Sequence, residues 1–189
     1  MAQAAQYDND YEKYELIGGH ECVMFPANIP HLRVQGNLYG KIWTFLRGKR
    51  CRVFSEAKVI FDDRNHFIPD ISVVCDKSKI KLTHIEGAPD FVCEILSRST
   101  RKNDFGQKKD IYEQYGVKEY WIIDPISQAV DVYILRDGRL VLDESYHYYG
   151  DGDEEWAEMS DAEKARVKLS LKLSLYDELE IPLADIFGE

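Results

Sequence analysis

The sequence predicts an α/β (α+β) fold: a mixed central sheet flanked by helices, with an N-terminal hairpin and C-terminal β additions. Three observations carry it. The run "DFVCEILS" is too continuously apolar for a sheet with one wet face, so it reads as a strand covered on both sides. It is followed by "RSTRKNDFGQKKDIYEQYGV", with helix signals, and then at once by a second strand, "KEYWIID"; such a strand-helix-strand unit is normally parallel and right-handed. Upstream, "HLRVQGNLYGKIWTFLRGK" places Leu32, Gln35, Leu38, Tyr39, Ile42, Phe45 and Leu46 at helical spacing.

The elements follow in order. "YEKYELIGGHECVMFP" alternates and breaks at Gly18-Gly19, as a hairpin does. A long helix runs from Pro30 to near Gly48. "CRVFSEAKVIF" and "FIPDISVVCD" read as two strands separated by the turn signal DDRN. "KSKIKLTHIEGAP" is a loop with one short ordered piece. In the helix after "DFVCEILS", Asn103 is placed for the N-cap and Gly116 for the position just past the end. "AVDVYIL" and "LVLDESYHYY" form a meander, "DGDEEWAEMSDAEKAR" is a solvated loop or short helix, and "VKLSLKLSLYDELEIPLADIF" alternates for a strand's length and ends in a short apolar tail suited to clip onto the body.

At 189 residues the length suits one well-filled core. The chain is therefore read as one domain over 1–189: a hairpin extension (1–29), an αβββαβ core (30–135) and a C-terminal meander, acidic loop and tail (136–189).

Composition excludes several classes. No run approaches the roughly 20 apolar residues of a membrane span, and the N-terminal stretch lacks a secretory pattern, so a cytoplasmic location is expected. The four cysteines show no CxxC spacing, which argues for buried thiols rather than zinc or disulfides. The net charge of −10 hides a division: His31 to Lys109 holds 16 Lys and Arg against 9 Asp and Glu, and the remainder 8 against 25. Polyanion binding depends on local field, so a phosphate-bearing partner is compatible with this chain.

Asp70 and Glu94 stand out because each lies in an apolar strand-like run. If those strands are neighbours, both carboxylates project into one small volume, where they need protons or a cation between them. Mg²⁺ is the natural occupant, since it takes one or two carboxylates and keeps waters for a substrate phosphate. Asp104, Lys108 and Tyr112 fall at i, i+4 and i+8, and the helix returns over the same strand. Lys108 can then neutralise developing phosphoryl charge, or orient or deprotonate the attacking water. Singly, each residue also fits a structural role: Asp70 as a turn-former, Glu94 bridging an internal cation, Lys108 pairing with Asp104. The set of three points to phosphoryl chemistry.

The array "PDISVV", a spacer, then "GAPDFVCEILSRSTRKNDFGQKKDIYEQYGVKEYWIIDP" resembles the Uma-two family, a branch of the PD-(D/E)XK nuclease superfamily. "YELIGG", "PHLRVQGNLYGKI" and "LEIPLADIF" resemble that family's opening and ending. The resemblance implies a restriction-endonuclease-like core and Mg²⁺-dependent cleavage of DNA, with Mn²⁺ as a substitute. It implies Asp70 and Glu94 as metal ligands, with the Ile95 carbonyl as a further one. Leu96 stands where the superfamily has lysine; the cation is then supplied from the following helix by Lys108, with Lys109, about 100° away on the helix, as second choice. Glu56, His31 and Tyr112 are auxiliary candidates, the last mainly for packing, as is Trp121. The family's "DG" is Gly18-Gly19 here, which removes a carboxylate. Arg98, Arg101 and Lys102 are expected to contact DNA phosphates. A homodimer or higher homo-oligomer is expected because a two-fold pair of sites cuts a duplex most simply. The alternative is a catalytically inactive module of the same fold that binds nucleic acid or protein.

Overall fold

The computed structural model describes residues 13–97, 100–150 and 152–188. Strands β1 (Tyr14–Ile17) and β2 (His20–Val23) pair antiparallel around Gly18 and Gly19, whose φ angles of 61° and 88° meet the demand of a two-residue hairpin turn for positive φ at both positions. Helix α1 (Ile29–Leu46) starts where the Asn28 side chain accepts from the His31 amide at 3.0 Å, and it buries His31, Val34, Gln35, Leu38, Ile42 and Leu46 along one stripe.

The next two apolar runs depart from expectation. Each was read as one strand, and each is divided between two sheets. The first gives β3 (Arg52–Ser55) and β4 (Val59–Asp62); the second contributes Phe67 to β5 (Asn65–Phe67), which starts within the expected DDRN turn, and then gives β6 (Ile71–Val74). The breaks have local causes. Glu56 adopts φ 51°, which an extended strand cannot contain, and Pro69 lacks the amide proton a ladder needs. Glu56 N donates to the Asp70 carbonyl at 3.2 Å, so the two breaks lie against each other.

Beyond them come a short 3₁₀ turn at Lys77–Lys79, β7 (Ile85–Glu86), β8 (Phe91–Ile95), α2 (Arg101–Phe105), α3 (Gln107–Gln114) and β9 (Glu119–Asp124). The helix expected here as one piece is interrupted at Gly106. Its start is Thr100, so Asn103 lies inside α2 rather than capping it. The strand-helix-strand unit is as expected, with β8 and β9 parallel. Then follow β10 (Ala129–Arg136), β11 (Arg139–His147), the short helices α4 (Glu154–Glu158) and α5 (Asp161–Lys164), β12 (Ser170–Lys172), β13 (Glu180–Pro182) and α6 (Leu183–Phe187).

Among the described residues the strands form a mixed sheet in the order β11-β10-β9-β8-β6-β3, a second sheet in the order β2-β1-β5-β4-β7, and the pair β12-β13. One face of the larger sheet, through Phe91, Cys93, Ile95, Trp121 and Ile123, packs on α1 and on the C-terminal residues Leu183, Ile186 and Phe187. The other, through Val92, Tyr120 and Ile122, packs on Tyr112 of α3 and on the second sheet. Alternation along β8 therefore turns Glu94 toward this second face, with Val92.

Cys51 and Cys75 form a disulfide, against the expectation of free thiols. The β3-β6 register, Arg52 opposite Val74, brings their neighbours Cys51 and Cys75 together across the strands, a juxtaposition their separation of 24 residues does not announce. Among the described residues no helix is long and apolar enough to cross a membrane.

Candidate active site

Asp70 lies at the break just before β6, and β6 runs antiparallel to β8 with Ile71 opposite Cys93. One residue further in that register sets Asp70 opposite Glu94. The Asp70 carboxylate is fixed from two sides: Oδ2 accepts from the Ile95 amide at 2.6 Å, and Oδ1 lies 2.9 Å from His31 Nε2 on α1. The Asp70 carbonyl accepts from Gln35 Nε2 at 3.1 Å. The first turns of α1 are thereby tied to the end of β6.

Lys108 projects from α3 to the other carboxylate. Its Nζ lies 2.7 Å from Glu94 Oε1, 2.9 Å from Glu15 Oε1 and 3.7 Å from Asp104 Oδ1, and the side chain is 2% exposed. The Tyr112 hydroxyl, one turn on, donates to Glu94 Oε1 at 2.6 Å. Asp104, Lys108 and Tyr112 are buried together despite the break at Gly106. Lys109 turns away and sits 5.0 Å from the Tyr133 ring centroid.

Glu15 was not singled out in the sequence. The hairpin pairs with β5 and so carries this carboxylate into the site, where it also accepts from the Ile68 amide at 2.7 Å. A signal was present: alternation in "YELI" gives Glu15 the parity of Ile17, and both are buried.

Four buried carboxylates (Glu15, Asp70, Glu94 and Asp104) thus surround one ammonium group and one imidazole. Burial pushes the Glu94 carboxyl well above its usual range; Lys108 opposes this, while Asp104, Asp70 and Glu15 add to it. Burial likewise raises Asp104 from 3.8 to about 6, against the pull of Lys108. Burial alone would lower Lys108, but Glu94, Glu15 and Asp104 outweigh it and hold the ammonium above its ordinary value.

Asp70, Glu94, Ile95, Lys108, Glu15 and His31 line a cavity of about 590 Å³. Residues 23–27 supply much of its apolar wall, and Glu56 stands at its edge, paired with Lys13 at 2.7 Å. Of the expected phosphate contacts, Arg101 is exposed and paired with Asp124 at 3.0 Å, Lys102 is exposed, and neither lines the cavity; Arg98 falls outside the described residues. Trp121 lies on the opposite face of the sheet, donating to Glu119 Oε1 at 2.6 Å.

Among the described residues no three His, Cys, Asp or Glu side chains converge into a metal cage. The donors that can serve a cation are the Asp70 and Glu94 carboxylates and the Ile95 carbonyl, all hard oxygens of residues that line the cavity. That set suits Mg²⁺, which needs few protein ligands and retains water, and it suits zinc poorly. The excess of buried negative charge fits a cation as well.

A crystal structure of "a putative nuclease belonging to DUF820" from Anabaena variabilis ATCC 29413 has a similar fold, with a TM-score of 0.71 at 22% identity over 94% of this chain and 90% of that one. "Uncharacterized protein slr1290" of Synechocystis sp. (strain ATCC 27184 / PCC 6803 / Kazusa) is 30% identical over 129 residues, covering 67% of this chain and 68% of its own. The model of the Uma2 family, described as "Putative restriction endonuclease", matches residues 1–172, and the chain belongs to that family.

Proposed function

We propose that this protein is a Mg²⁺-dependent endonuclease that hydrolyses DNA phosphodiester bonds, with Asp70, Glu94 and the Ile95 carbonyl holding the ion. The observation that carries the reading is the opposition of Asp70 and Glu94 across neighbouring strands, with a buried ammonium 2.7 Å from Glu94. When bound, Mg²⁺ supplies a Lewis acid for a phosphoryl oxygen and lowers the pKa of a water, and Mn²⁺ can stand in for it.

The protein's own groups divide the remaining work. His31 and the Ile95 amide hold the Asp70 carboxylate in one orientation; Tyr112 and Lys108 do the same for Glu94. Lys108 stays protonated among its carboxylates, so it acts as a fixed positive charge for phosphoryl oxygens rather than as a base. Asp104 and Glu15 keep that ammonium buried and placed. A homodimer would set two such sites about a two-fold axis, one for each strand of a duplex.

A second reading, a binding module without catalysis, draws on one specific observation: Lys108 is already engaged by three carboxylates, which is also how a structural bridge looks. Cleavage separates the two. On supercoiled plasmid and single-stranded DNA, nicking is expected with Mg²⁺ or Mn²⁺ and none with EDTA. Asp70→Ala, Glu94→Gln and Lys108→Ala should each lower the rate by about 10²-fold or more, while Lys109→Ala leaves it nearly unchanged. A folded, fully active Glu94→Gln protein would remove Glu94 from the mechanism.

Asp104 gives a stability test. Its folded value of about 6 lies above the ordinary 3.8, so its contribution is fully present below the lower value and is lost as pH rises through the higher. Urea unfolding of the metal-free protein should show that loss between about pH 4 and 7, roughly 3 kcal/mol from this group, and Asp104→Asn should flatten the slope. An unchanged slope would place the buried charge elsewhere. For the dimer, sedimentation of the protein alone and with duplex DNA should show a two-chain species; monomer under both conditions counts against it.

A further inference from the structure

The turn between α1 and β3 carries a second feature that the proposed site does not use. Residues 47–52, "RGKRCR", hold four cations in six positions and no acid, in a chain whose net charge is −10. Arg47, Arg50 and Arg52 are exposed and Lys49 half-buried.

What holds these cations is neutral. The Arg47 guanidinium lies 5.3 Å from the centroid of the Trp43 ring, which is itself 48% exposed, and Lys49 Nζ lies 4.1 Å from that of Phe45. Arg50 Nε donates to the Cys75 carbonyl at 3.2 Å. Arg52 Nη1 donates to the carbonyls of Lys49, Cys51 and Arg50 at 2.6, 2.9 and 3.4 Å. Ring faces and carbonyls orient a cation and leave its charge uncancelled. None of the four is within ion-pair distance of a carboxylate among the described residues, and Asp76 feels Arg50 only as a weak influence. Other surface cations are paired with acids, Arg101 with Asp124, Arg136 with Asp143 and Lys168 with Glu144, and those that rest on carbonyls instead, Arg33 and Arg64, stand singly in the sequence rather than in a cluster of four.

Four like charges with no carboxylate at ion-pair distance repel one another, and a bound polyanion relieves that repulsion. In a protein with this net charge, such a patch is also where a polyanion can approach. We propose that Arg47, Lys49, Arg50 and Arg52, with Trp43 beside them, form a docking surface for the phosphate backbone of duplex DNA, separate from the Asp70–Glu94 site. The choice of nucleic acid as partner rests on the nuclease reading. Guanidinium groups suit phosphate because their planar donors pair with two oxygens at once. The patch lies past the C-terminal end of α1, while His31 and Gln35 lie near its other end. The helix has 18 residues, which at its usual rise is roughly 27 Å, or about 8 base pairs of duplex. Contacts at that distance grip the backbone without reading bases.

Fluorescence anisotropy of a labelled duplex in EDTA tests this without requiring cleavage. The full-length wild type is compared with the triple substitution Arg47→Gln, Lys49→Gln and Arg50→Gln, and with Lys164→Gln plus Arg166→Gln as a charge control elsewhere. Arg52 is left intact because it ties the turn together, and thermal unfolding checks that each protein is folded. The triple variant is expected to bind at least about tenfold more weakly at 0.1 M salt, with a salt slope smaller by about 3. The control should stay close to wild type, and Arg47→Lys with Arg50→Lys should restore most of the affinity. Equal binding by wild type and folded triple variant, an equal loss in the control, or no binding by wild type at low salt would each overturn the inference. If binding depends on the patch while no metal produces cleavage, the docking surface stands and the nuclease reading falls.

Discussion

A lysine ammonium group taken out of water must be given counter-charge, and the burial of Lys108 is the constraint on which the rest of this arrangement depends. Its partners arrive from separate elements: Glu15 from β1, Glu94 from β8 and Asp104 from α2, while Lys108 itself stands on α3. The ion cluster therefore fastens the hairpin, the central sheet and the helical return to one another. It also leaves more carboxylate than cation. Burial with neighbouring negative charge raises both Glu94 and Asp104, which is a strain that a hydrophobic replacement would not carry. An arrangement this costly is more naturally retained for what it does than for the stability it confers, and that supports the proposed catalytic role.

The two faces of the larger sheet differ in kind. Against α1 and the C-terminal helix the contacts are apolar, through Phe91, Trp121, Leu183 and Phe187, and this side needs only volume and shape. The opposite face combines an apolar cluster around Tyr112 and Phe67 with the charged site at its edge. The rigid side supports the polar one: alternation in β8 sends Cys93 and Ile95 into the core and Glu94 to the other face, so packing of the first pair fixes the direction of the carboxylate. His31 and Gln35 link the faces, because they sit on the buried stripe of α1 and reach Asp70.

Much of this was legible in the residues. Asp70 and Glu94 draw notice because a carboxylate in an apolar run needs a reason, and the helical phase of Asp104, Lys108 and Tyr112 separates Lys108 from Lys109 by rotation alone. Other features were hidden for physical reasons. The splitting of "CRVFSEAKVIF" depends on Glu56 taking a positive φ, which residue type does not disclose, and both halves carry Val and Phe. The role of Glu15 depends on where the hairpin docks, a long-range pairing with β5 that local periodicity cannot show. The Cys51–Cys75 bridge likewise follows from register between β3 and β6, and the break at Gly106 divided a helix whose buried face nevertheless kept its phase.

The central claim is that the opposed Asp70 and Glu94 carboxylates hold a divalent cation in a site otherwise too negative. Calorimetric titration of Mn²⁺ into the metal-free wild type and into Glu94→Gln tests it without any assumption about substrate. The account predicts saturable binding in the wild type that is lost in a variant whose thermal unfolding remains cooperative. No binding by the folded wild type, or undiminished binding by Glu94→Gln, would contradict it.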